Sequence, residues 1–138
     1  MTDGKVHATT VAVGGRGVMI LGPSGAGKSD LALRLIDRGA MLVSDDYTIL
    51  TRDDAALIAS APATIAGRME VRGLGVVERP YHPAIGVALV VVLGDEGERM
   101  PDPLTVSLAG VDLPAVAIDP RHASAPIKVE WALDRVAP

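Results

Sequence analysis

Residues 22–29 read Gly-Pro-Ser-Gly-Ala-Gly-Lys-Ser, a complete G-x-x-x-x-G-K-[ST] pattern. No other stretch constrains the fold as much, because such a loop works only between a strand and a helix. Its glycines let the backbone curl until successive N–H groups face inward, and the following helix adds its positive N-terminus to that anion nest. The spacing places Lys28 on the terminal phosphates and the Ser29 hydroxyl on a Mg²⁺ ion. Gly22, Pro23, Ser24, Gly25, Ala26, Gly27, Lys28 and Ser29 are therefore the expected phosphate-binding residues. The flanks agree. Residues 17–21 form a short apolar run, and residues 29–38 carry helical periodicity, with Leu31 over Leu35 and Ala32 over Ile36. Gly39 follows as a stop signal.

Composition bounds the remainder. A chain of 138 residues, 49% hydrophobic, is expected to form one domain over 1–138 with one core. It has no cysteine, which removes disulfides and thiolate metal sites. A net charge of −4 argues against a nucleic-acid surface. The longest apolar stretch, residues 84–93, is about half a membrane span. The first five residues lack an export signal. The expectation is a soluble cytoplasmic protein with neither a membrane nor a nucleic acid as partner.

Along the chain, residues 7–13 and 18–21 read as strands joined by a turn over Gly14, Gly15, Arg16 and Gly17. Residues 41–43 form a buried-type strand ending at Asp45-Asp46. Residues 47–51 and 56–59 suggest a hairpin, and 64–75 is a glycine-rich segment carrying Arg68, Glu70 and Arg72. Residues 85–93 are a central strand, since β-branched residues dominate them. A polar loop follows over 94–103, then short strands at 106–108 and 115–118. The last helix starts near Ser124, with Val129, Leu133 and Val136 as its apolar stripe. This order predicts a compact α/β domain of P-loop NTPase type with a mixed sheet.

The chemistry beyond phosphate binding rests on carboxylates. Asp45 and Asp46 close the strand after the loop helix, and such strand ends lie beside the phosphates in open α/β sheets. Neighbouring strand residues point to opposite sides, so one carboxylate could anchor Mg²⁺ while the other serves as general base. A solvated Asp pair in a turn is the plain alternative. Glu70 and Arg72, two apart, would share a strand face. They could pair with each other, or supply a metal carboxylate and an anion-binding guanidinium. His7 and Arg99, each by itself, read as surface residues.

Together these stretches resemble HPr kinase/phosphorylase, the bifunctional regulator of the bacterial phosphotransferase system. The shared residues are His7, Gly22 to Ser29, Ala32-Leu33, Leu35, Arg38-Gly39, Leu42-Val43, Asp45-Asp46 and Glu70-x-Arg72-Gly73-Leu74-Gly75. The resemblance spans residues 7–75, and E-x-R-G-x-G is its most selective part. It implies a catalytic domain related in fold to phosphoenolpyruvate carboxykinase. It also implies a serine kinase that uses ATP, or pyrophosphate, with Mg²⁺ to phosphorylate HPr, and a phosphorolytic reverse reaction. By the same resemblance Asp45 would be the base, with His7 near it. Ser29, Asp46 and Glu70 would surround Mg²⁺, Lys28 and Arg99 would steady the transferring phosphoryl group, and the assembly would be a homo-oligomer, usually a hexamer. Two other readings share the loop: a small-metabolite kinase, which would need an Arg-rich helical lid, and a nucleotide-sensing module without turnover, which would need no extra base.

Overall fold

A computed structural model describes residues 2–137. Eleven strands and two helices follow one another as β1 (Thr2–Val6), β2 (Ala8–Val13), β3 (Arg16–Leu21), α1 (Lys28–Asp37), β4 (Met41–Ser44), β5 (Thr48–Asp53), β6 (Ala56–Ser60), β7 (Arg68–Val71), β8 (Gly75–Glu78), β9 (Ala84–Leu93), β10 (Leu104–Leu108), β11 (Val111–Ile118) and α2 (Ala125–Asp134). Nine strands make one mixed sheet in the order β1-β5-β6-β9-β3-β2-β4, with β11 against β9 and β10 outside β11. β3, β9 and β11 run parallel, and the other pairings are antiparallel. The expected α/β class with a mixed sheet is what the chain adopts.

β9 is the spine of this sheet. Its first residues, Ala84 to Gly86, pair with β6, while Val87 to Val92 pair with β3 and Val90 to Leu93 pair with β11. A strand buried on both faces should be a continuous apolar run, and residues 84–93 are one. Alternation then sorts side chains into two apolar layers. Val18, Ile20, Leu89 and Val91 face α1 and α2 through Leu31, Leu35, Val129 and Leu133. Met19 and Val90 point the other way, toward Val43, Leu50, Leu57 and Leu113.

The helix after the loop begins and ends as its sequence dictates. Leu31, Ala32 and Leu35 are fully buried, and Asp30 pairs with Arg34 one turn later on the outer side. At its end Gly39 takes a φ of 112°, its N–H donates to the Ile36 carbonyl, and the Ala40 N–H donates to Leu35. That is the paired-bond stop for which glycine is selected. α2 is held at its far end by Arg16, whose guanidinium donates to the carbonyls of Leu133, Val136 and Ala137.

Some expectations need correction. The β2–β3 turn is the two-residue Gly14-Gly15, both at positive φ, because a two-residue turn of this kind matches the strand twist. The residues before His7, to which the sequence reading gives no element, form β1, which adds to the sheet edge along β5. The glycine-rich 64–75 segment contributes β7, which forms with β8 a separate two-stranded hairpin. Arg72 lies in the turn beyond β7, so it does not share a strand face with Glu70. Among the described residues no helix is long and apolar enough to cross a membrane.

Candidate active site

β3 delivers the chain to Gly22, packed so closely that a Cβ there would lie 3.3 Å from that of Leu93 and 3.2 Å from that of Ala26. The Ala26 N–H closes the loop onto the Pro23 carbonyl, and Gly27, at a φ of 105°, turns it into α1. Lys28 is buried. Its ammonium donates to the carbonyls of Gly22 at 2.7 Å and Pro23 at 3.0 Å, which hooks the side chain across the loop. From the far side, Pro120 approaches Gly27, and Arg34 donates to the carbonyls of Pro120 and His122, bracing the 119–122 turn against the helix start.

The loop floors a cavity of about 510 Å³ whose walls carry His7, Asp46, Glu70 and Arg72 beside Lys28 and Ser29. The two adjacent aspartates meet this cavity differently. Asp45 is buried, and both its oxygens are engaged. Oδ1 accepts the Ser29 hydroxyl at 2.6 Å and the Thr9 hydroxyl at 3.1 Å, and Oδ2 accepts the Glu70 N–H at 3.0 Å. Asp46 has a 61% exposed side chain on the cavity wall, and its Oδ1 lies 2.7 Å from His7 Nε2. β4 has already ended at Ser44, so strand alternation does not separate the pair. The separation comes from Asp46 at a φ of 71°, a conformation that non-glycine residues adopt only when their surroundings enforce it. Here the Asp46 N–H donates to the Thr9 hydroxyl oxygen, the Tyr47 N–H donates to the Asp45 carbonyl, and the Ser44 hydroxyl bonds the Tyr47 carbonyl.

The expected residues thus divide. The loop, Lys28, Ser29, Asp46, Glu70, Arg72 and His7 converge on one cavity, with Asp45 just beneath it. His7 is placed against Asp46 and not, as expected, against Asp45. Arg99 does not reach this cavity. It sits in the 94–103 loop and lines a second depression of about 320 Å³ with Glu96, Trp131 and Arg135. Glu70 and Arg72 do not pair with each other, and neither side chain has an ion-pair partner among the described residues. Sequence reasoning missed Thr9, whose one hydroxyl serves both aspartates. On a strand of buried residues it looks like any β-former, and only its partners 36 and 37 positions away reveal it.

Away from the cavity, charges satisfy one another. Glu96 accepts Lys128 at 2.9 Å and the Asp119 N–H at 3.1 Å, and the Lys128 ammonium holds its carboxyl below the usual range. Asp119 is held further below by its hydrogen bonds from Arg121.

Comparison with known proteins places this geometry. Residues 1–82 match the family model described as HPr Serine kinase C-terminal domain. The HPr kinase/phosphorylase of Chlorobium phaeobacteroides is 38% identical over 128 residues, covering 83% of this chain and 38% of that protein. The one from Clostridium tetani is 45% identical over 76 residues, covering 55% of this chain and 25% of the relative. The chain therefore spans well under half the length of these relatives. Among solved structures, the Hpr(Ser) kinase/phosphatase from Coxiella burnetii matches with a TM-score of 0.81 at 27% identity, covering 95% of this chain and 94% of that one. By sequence and by fold, this chain belongs to the HPr serine kinase C-terminal domain family.

Proposed function

We propose that this chain is a Mg²⁺-dependent protein serine kinase domain that moves the terminal phosphoryl group of ATP onto a serine hydroxyl of HPr. In the reverse direction inorganic phosphate attacks the phosphoserine, giving free serine and pyrophosphate. One observation carries the reading: a carboxylate–imidazole pair, Asp46 and His7, faces the same cavity as a complete phosphate loop. Binding alone needs the loop but not the pair.

The residues then take the following parts. Loop amides and Lys28 hold the phosphates and stabilise charge on the transferring group. The donor set of Ser29, Asp45, Asp46 and Glu70 is all oxygen, which suits Mg²⁺. No three acidic or imidazole groups among the described residues are close enough to cage a metal ion, so Ser29 and Glu70 would share it with water and phosphate oxygens. Bound Mg²⁺ would supply positive charge to the phosphate oxygens. Asp45 fixes the Ser29 hydroxyl from behind, and its engaged oxygens suit it to that task. Asp46, exposed and hydrogen-bonded to His7, is the better-placed acceptor for the serine proton. This moves the base from Asp45, where the family resemblance implied it, to Asp46, and gives Asp45 the placing of Ser29.

The test is phosphorylation of purified HPr from the same genome with MgATP. Asp46→Asn should lower kcat by about 10²-fold or more while leaving the ATP KM unchanged. Asp45→Asn should act chiefly by raising the MgATP KM. The opposite pattern returns the base to Asp45, and wild-type protein that leaves HPr unlabelled removes the kinase reading.

A further inference from the structure

Tyr47 follows the two aspartates and carries no role in the scheme above. Its ring centroid lies 5.1 Å from that of His7, with the planes tilted by 30°. The Lys5 ammonium lies 4.9 Å from the centroid of the same tyrosine ring. Tyr47 is itself fixed through its backbone, whose N–H donates to Asp45 and whose carbonyl accepts the Ser44 hydroxyl. The tight turn that swings Asp46 into the cavity therefore also sets the tyrosine ring against the imidazole. His7 needs such support. Its side chain is 34% exposed, and among the described residues its one hydrogen bond to another side chain is that from Nε2 to Asp46. An imidazole held at one nitrogen keeps torsional freedom unless its ring is packed, and a productive proton path depends on which nitrogen faces which partner.

We infer that Tyr47 is a positioning residue that holds the His7 imidazole in line with Asp46, with Lys5 steadying the tyrosine ring through its π-face. The inference rests on the proton-transfer role proposed for Asp46 and His7. It adds two residues, Lys5 on β1 and Tyr47 at the end of the β4–β5 turn, to a site otherwise built from His7, β2, the phosphate loop, the aspartates of that same turn and the β7 region.

The experiment compares wild type, Tyr47→Phe and Tyr47→Leu by two measurements. The first is the His7 imidazole correlation spectrum of the isolated protein, which needs no acceptor. In Tyr47→Leu the His7 ring protons should lose their ring-current shift and Nε2 should move as its bond to Asp46 loosens, while Tyr47→Phe should overlay wild type. The second is HPr phosphorylation. Tyr47→Leu should lower kcat about tenfold with the ATP KM unchanged, and Tyr47→Phe should restore it. An unmoved His7 spectrum in Tyr47→Leu overturns the inference. So does a parallel change in kcat and KM, or a Phe variant as slow as the Leu one, which would assign the role to the hydroxyl. Wild type that fails to phosphorylate HPr sinks the kinase reading instead, and the spectra still decide whether Tyr47 holds His7.

Discussion

The rim of the phosphate-loop cavity and the turn-and-loop region around α2 carry similar numbers of charges and use them in opposite ways. At the cavity, Glu70 and Arg72 line the open space, and among the described residues the Asp46 carboxylate meets only His7. Around α2, Glu96 is bound to Lys128, Asp119 to Arg121, and Arg38, just past the end of α1, to Glu130. Exposed charges left without a protein partner are hydrated and available to a ligand, whereas paired ones mainly fix local geometry. The difference teaches which charges serve a ligand and which serve the fold, and substitutions on either side should separate along the same line.

The sharpest attack on that division is Lys28→Met. It removes the loop cation and should reduce phosphoryl transfer by about 10²–10³-fold, with a stability loss without nucleotide of no more than about 1–2 kcal/mol from the two carbonyls left without their donor. A loss of stability as large as the loss of activity would mean that the lysine serves the fold as well. Arg16→Ala probes the other class. It leaves three carbonyls at the end of α2 without their guanidinium donor and should lower stability by about 1–2 kcal/mol in a denaturant titration, while kcat per folded molecule stays at the wild-type value. An activity loss beyond the unfolded fraction would join α2 to the site.

The smallest effect is expected from Lys128→Met. Glu96 and Asp119 both sit below the usual carboxylate range, so the stability they contribute is complete above their unfolded pKa values, about 4, and is lost as pH falls through the lowered folded ones. Without Lys128 the lowering at Glu96 weakens. The folded protein then gains less from ionising that carboxyl, and the acid-unfolding midpoint should move to higher pH by a fraction of a unit. An unmoved midpoint would show that the pair is too exposed to matter.

The parts legible in the sequence are those decided locally. The loop announces itself by glycine spacing, α1 by its apolar period and Gly39, and β9 by a continuous apolar run rich in β-branched residues. β1 was illegible because Thr2 to Val6 includes charge and glycine, and its strand form comes from pairing with β5. β7 and β8 were hidden for a similar reason. Each is four residues long, and glycine at 73 and 75 masks strands that stand through Met69 packed under α1. At the site, the residue types were readable and their partners were not. That two adjacent aspartates would part, one downward to Ser29 and one outward to His7, depends on a left-handed residue held by a threonine from another strand. Arg99 shows the converse, since a motif-like position gave no information about which depression its loop would join.

The shared threonine has a consequence for how such a centre can change. Because one buried hydroxyl donates to the serine-bound carboxylate and accepts the backbone N–H of the residue whose carboxylate meets the histidine, the placements of the two aspartates are mechanically yoked. Neither can move without dragging the other, whereas the tip of the β7–β8 hairpin, where Leu74 is 77% exposed, lies outside that coupling.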